Sequence, residues 1–147
     1  MNRKCLVGLA TLAILFTPGP AKSQVTLGDA LEMGARKLSK EEWLSMLPLT
    51  VSGLTSTGNA EFKLTFKADG TLLGHVRTLE GATSGTFGTW TIDDDGKRCI
   101  DETLSAWNMK VQECAYTMKL GDKYFATRTA TDRSRKIRMY TYVTRDN

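Results

Sequence analysis

Residues 61 to 67 alternate polar and apolar side chains without a fault, Glu61-Phe62-Lys63-Leu64-Thr65-Phe66-Lys67. A period of two turns one face of a strand to a core and the other to water. Ala68-Asp69-Gly70 turns the chain, and Thr71 to Leu79 is the hairpin partner. Glu80 to Ser84 reads as a second loop. Thr86 to Asp93 is a third strand with Trp90 and Ile92 on one face, and Asp94-Asp95-Gly96 turns it into a strand around Arg98-Cys99-Ile100. Further strands are expected from Met109 to Lys119, Lys123 to Arg128 and Ile137 to Thr144, with a weaker one from Leu49 to Thr55. About eight strands with short connections predict a mainly β fold: a small antiparallel meander that closes into an eight-stranded barrel, its interior either filled or holding one small ligand.

Ahead of the strands the period lengthens. Leu27, Ala30, Leu31 and Ala35 recur at helical spacing, predicting a helix that ends near Leu38. A second short helix starts at the Ser39 cap, with Glu42 three residues on as in a capping box. Trp43, Leu44 and Leu47 give its apolar side and Pro48 ends it. Residues 24–48 thus form an N-terminal helical segment and 49–147 the barrel-like domain. Residues 1–23 have the three regions of a secretory signal peptide. Arg3 and Lys4 open it, an apolar run from Cys5 to Phe16 follows, and Ala21-Lys22-Ser23 supplies the small-x-small site after Pro18 and Pro20. That run is far shorter than the 20 or so apolar residues a transmembrane anchor needs. A periplasmic or secreted protein with no membrane span after cleavage is expected.

Cleavage changes the charge. Losing Arg3, Lys4 and Lys22 takes 20 basic side chains to 17 against 16 acidic, so the formal +4 falls to about +1. Nucleic acid is then a poor partner, although Arg138, Tyr140 and Tyr142 alternate at the end of a basic stretch beginning at Arg128. Two cysteines remain, Cys99 and Cys114. An exported domain with one pair points to a disulfide, since neither has a second ligand at zinc spacing and no C-x-x-C occurs. Pairing them centres a hairpin between residues 106 and 107, where Ser105-Ala106-Trp107-Asn108 already reads as the turn. Directly opposed strand residues lie within disulfide reach.

Candidate chemistry is sparse. His75, the single histidine, shares a strand face with Leu73 and Arg77 and is expected to point outward. It lacks the nucleophile and orienting partner of a catalytic set. Asp93, Asp94 and Asp95 are consecutive, whereas a calcium loop needs alternating carboxylates. Asp101 and Glu102 are neighbours on a strand and face opposite ways, although Glu113 could approach one of them. No catalytic residue, metal or cofactor is expected, and a small hydrolase is the least favoured class.

The run Trp90-x-Ile92-x-x-x-Gly96-x-x-Cys99, followed by Cys114 and preceded by Lys67-Ala68-Asp69-Gly70-Thr71, resembles a family of small exported bacterial domains of unknown function with lipocalin-like character. The resemblance covers about residues 38–128 and implies a compact exported β-barrel without an assigned activity. Two functions fit. One is a non-catalytic binding domain for a small apolar or amphipathic ligand, with Trp90, Tyr116 and Tyr140 as lining or core aromatics. The other is an inhibitor or interaction protein acting on a secreted protein such as a lysozyme or protease. It would make contact through Leu79 to Ser84, Leu104 to Asn108 and Ala130 to Lys136, with Trp107 as anchor.

Overall fold

The computed structural model describes residues 25–55, 57–137 and 139–144, the last six through their backbone only. The signal peptide expected over residues 1–23, with Cys5, lies outside them.

Two short helices lead. Helix α1, Leu27–Glu32, is capped by Thr26, whose hydroxyl accepts from the Asp29 amide while the Asp29 carboxylate reaches back to Thr26. The expected continuation to Leu38 does not occur. Gly34 takes a φ of +92°, and the Gly34 and Ala35 amides fold back onto the Leu31 and Ala30 carbonyls. That left-handed glycine cap ends a helix whatever the apolar spacing beyond it. Arg36–Lys37 instead form a two-residue strand, β1, against the end of β7 (Met109–Leu120). Helix α2, Lys40–Ser45, begins at Ser39 with the expected capping box to Glu42. Its inner side is Trp43 with Met46 and Leu47. Leu44, expected on that side, is exposed.

The remaining strands follow the predicted meander: β2 Leu49–Leu54, β3 Ala60–Phe66, β4 Thr71–Thr78, β5 Thr83–Ile92, β6 Lys97–Leu104, β7, β8 Lys123–Thr127 and β9 Met139–Thr144. The loop expected over Glu80 to Ser84 is shorter, because Gly81 turns at φ +96° and Thr83 and Ser84 already pair with β4. Every pairing is antiparallel. From β2 the neighbours run in chain order to β7, β7 continues to β8, β8 to β9, and β9 returns to β2. The sheet curls into a barrel-like form, its seam narrowest at β8–β9, where two residue pairs meet.

Register fixes the two faces. The inner face carries Val51 on β2, Phe62 and Leu64 on β3, Leu72 and Val76 on β4, Trp90 on β5, and Arg98, Ile100, Glu102 and Leu104 on β6. His75 is exposed on the outer face beside Leu73, as its strand period requires. Cys99 and Cys114 are directly opposed with Cα atoms 4.0 Å apart and are joined by a disulfide. The turn between their strands is the short helix Ser105–Trp107, with Asn108 left-handed at φ 47°. A transmembrane helix is absent among the described residues.

Candidate functional site

Antiparallel alternation sorts the loops into two ends. The β3–β4, β5–β6 and β7–β8 turns share one end, and the N-terminal segment lies across it. Lys37 and Lys40 bind Asp95 and Asp94 in the β5–β6 turn, and Tyr116 donates to Asp95 at 2.9 Å. Gly96, at φ +81°, leaves room for the Leu38 carbonyl, which an added Cβ would meet at 2.8 Å. Asp94 and Asp95 therefore anchor the segment, while Asp93 accepts from the Lys97 amide within the turn; no group of metal-binding side chains occurs among the described residues.

Trp43 then enters this end. Its ring lies 5.4 Å edge-on from Phe66 and 4.8 Å from Trp90, and the Trp90 indole donates to the Lys67 carbonyl at 3.0 Å. The Ala68-Asp69-Gly70-Thr71 turn supports that carbonyl: Asp69 accepts from the Thr71 amide and hydroxyl, which lowers its carboxyl pKa, and Gly70 stands at φ +84°. These aromatics form a floor.

The other end is open. Above the floor is a cavity of about 1370 Å³, bounded by inner-face residues of β2, β3, β4, β6 and β7 and by the loop from Arg128 to Ile137. Small-molecule sites usually measure about 300–1,000 Å³, so there is room for one ligand. Most of the wall is apolar: Phe62, Leu64, Val76, Ile100, Leu104 and Val111. Trp107 stands at the mouth, half-buried against Ala60, Val76 and Leu104.

Charged side chains interrupt the apolar wall: Asp132, Arg135 and Lys136 on the loop at the mouth, and Arg98, Glu102, Glu113 and Arg128 on or beside the strands. Arg98, next to the floor, has its guanidinium 4.6 Å from the Phe66 ring centre and 5.5 Å from that of Trp43. Glu102 is 6% exposed and accepts from the Thr86 hydroxyl at 2.7 Å. Burial raises its carboxyl pKa above the ordinary value; the Thr86 bond and Arg98 pull the other way, and Glu113 adds to the rise. Glu113, opposite Ile100, pairs with Arg128 at 3.2 Å. Asp101 points out, to Gln112, so the adjacent acids do face opposite ways.

Trp90 is a floor residue rather than an open-wall contact. Tyr116 is on the outer surface, beside Lys37 and Lys97, and is not brought near Trp90. Tyr140 pairs with Tyr124 in the ladder, but its side chain lies outside the described residues. Trp107 and the segments at 79–84, 104–108 and 130–136 all come to the open end. The last is tied to α1: the Leu27 and Gly28 amides donate to the Arg135 and Arg133 carbonyls, and Arg133 pairs with Glu32 at 2.7 Å.

No family model, curated protein or solved structure matches the chain. The lumen has to be interpreted from its own chemistry.

Arg98, Glu102, Glu113 and Arg128 were not recognisable as a band from periodicity alone. A cross-strand disulfide on the outer face implies that the residues flanking each cysteine point inward. That signal is in the sequence.

Proposed function

We propose that this protein is an exported, non-catalytic binding domain that holds one small apolar or amphipathic ligand in the barrel lumen. The observation that carries the reading is the cavity of about 1370 Å³, floored by aromatics and open at one end. An apolar wall with a few convergent polar groups is the usual make-up of a ligand site. Export is supported by the three-part leader and by the Cys99–Cys114 disulfide, a bond that persists in oxidising compartments. The lipocalin-like family resemblance agrees, because the residues that carry it are the turns and the tryptophan building the floor. Native mass spectrometry after exposing the purified protein to a lipid and metabolite extract tests the proposal. One retained ligand per chain is expected; a protein that keeps nothing contradicts it.

A second reading is an inhibitor or interaction protein acting on a secreted protein such as a lysozyme or protease. It is favoured by apolar side chains outside the lumen. Leu73 and Phe87 are opposed across β4 and β5 and exposed, and Leu79 at the open end is 64% exposed. Undiminished lysozyme and trypsin activity in excess protein would remove that reading for both targets.

A further inference from the structure

Building on the binding-domain reading, we infer that the open end is a membrane-docking surface: it seats on an anionic lipid bilayer, so that the mouth of the lumen faces the lipid that supplies its ligand. The two ends differ in what their turns present. The closed-end turns, residues 67–70, 93–96 and 121–122, carry Asp69, Asp93, Asp94, Asp95 and Asp122 and no large apolar side chain. At the open end, the β2–β3, β4–β5 and β6–β7 turns each present one. Leu54 closes β2, Leu79 follows β4, and Trp107 and Met109 flank Asn108. Leu54 is 39%, Met109 47% and Leu79 64% exposed, and Trp107 is half-buried at the mouth.

The loop from Arg128 to Ile137 adds charge to this rim. Arg128 and Arg133 are taken up by Glu113 and Glu32. Arg135 and Lys136 are exposed, line the cavity and hold no ion pair among the described residues. Asp132 is turned into its own loop, accepting from the Ser134 amide and hydroxyl. Glu80 is the one acid in the three hairpin turns of this end. The apolar groups stand at separate points around an opening, so they do not form the continuous patch of roughly 800 Å² per partner that a stable protein interface buries. A fluid bilayer moulds to such a ring. Apolar tips enter the interface, tryptophan suits the headgroup level, and each rim cation gains from anionic lipid. An apolar or amphipathic ligand also resides in lipid rather than water.

Co-sedimentation with vesicles of phosphatidylcholine, alone or mixed with phosphatidylglycerol, tests the docking. The wild-type protein should bind the mixed vesicles at least about fivefold more tightly, with the preference lost at about 1 M salt. Glu80→Lys should strengthen binding to the mixed vesicles at least about twofold, and changing both Arg135 and Lys136 to glutamate should remove the preference. Leu79→Asp should weaken binding to the mixed vesicles at least about fivefold. Phe87→Asp, at a comparably exposed position on the outer sheet face, should bind like wild type. Equal binding to both vesicles, binding to neither, or loss in Phe87→Asp but not in Leu79→Asp overturns the inference. Native mass spectrometry with the lipid and metabolite extract separates it from the reading it rests on. A protein that retains a ligand yet binds neither vesicle overturns the docking and leaves the binding domain standing. One that binds the mixed vesicles yet retains nothing keeps the docking surface and overturns the binding domain.

Discussion

Glu102 is the side chain whose environment departs furthest from what its type prefers. Its carboxyl faces a largely apolar wall, with Thr86 as hydrogen-bond donor and Glu113 nearby on the next strand. The folded-state pKa is raised, so the folded protein takes up a proton at higher pH than the unfolded chain does. Stability is therefore lost as pH rises from the ordinary carboxylate value through the raised folded value, and regained on acidification. Glu102→Gln removes the charge and keeps an acceptor for Thr86. It should raise the melting temperature at neutral pH, with the gain shrinking toward pH 4 as the wild-type carboxyl protonates. Thermal melts across that range check this, and a variant less stable at neutral pH than at pH 4, relative to wild type, would contradict it. Gly96 is the second test at this scale. A side chain there meets both a φ of +81° and the Leu38 carbonyl. Gly96→Ala should cost at least about 1–2 kcal/mol, and an unchanged melting temperature would show that the N-terminal segment does not need this close approach.

At the scale of elements, the period-two segments, the Ser39 capping box and the Cys99–Cys114 hairpin were legible because each rests on local chemistry. Directly opposed cysteines on neighbouring strands required only the turn position, which Ser105 to Asn108 supplied. Helix α1 was not bounded correctly, because Ala35 continues the apolar spacing while Gly34 has already reversed the chain. Strand β1 has no periodicity to detect in two residues; it exists through its pairing with Lys119 and Met118. Nor could the sequence reveal that α2 covers one barrel end, since that depends on Trp43 meeting Phe66 and Trp90 from three distant stretches. Trp43→Ala should cost about 3–5 kcal/mol, as truncation of a fully buried aromatic does. Chemical denaturation measures it, and a loss below about 1 kcal/mol would mean the floor stands without α2. Replacing both Cys99 and Cys114 by serine should cost about 3 kcal/mol on the chain-entropy account. Protein produced in an oxidising compartment should show no alkylation of either cysteine until reductant is added; two reactive thiols beforehand would contradict the bond.

On the scale of the whole molecule, the division of labour is between two ends. The closed end concentrates the Asp69-Gly70 turn, Trp90, the aspartate turn and Gly96. They secure the N-terminal segment and its aromatic floor. The open end carries the mouth, Trp107 and the basic loop that α1 holds in place. The interior between them could not be read from pattern, because a filled and a hollow barrel share the same alternation and differ only in how far opposite walls stand apart. The central claim, that the space between the walls receives one ligand, is tested most directly by filling it. Val111 is half-buried on the lumen wall, packed against the Ala60, Val76 and Leu104 cluster and lining the cavity, so a larger side chain there takes up lumen space. Native mass spectrometry after exposure to the lipid and metabolite extract is expected to give one retained ligand per chain in the wild type and none in a Val111→Trp variant that still melts cooperatively. Equal retention in the filled variant would place binding outside the lumen and contradict the account.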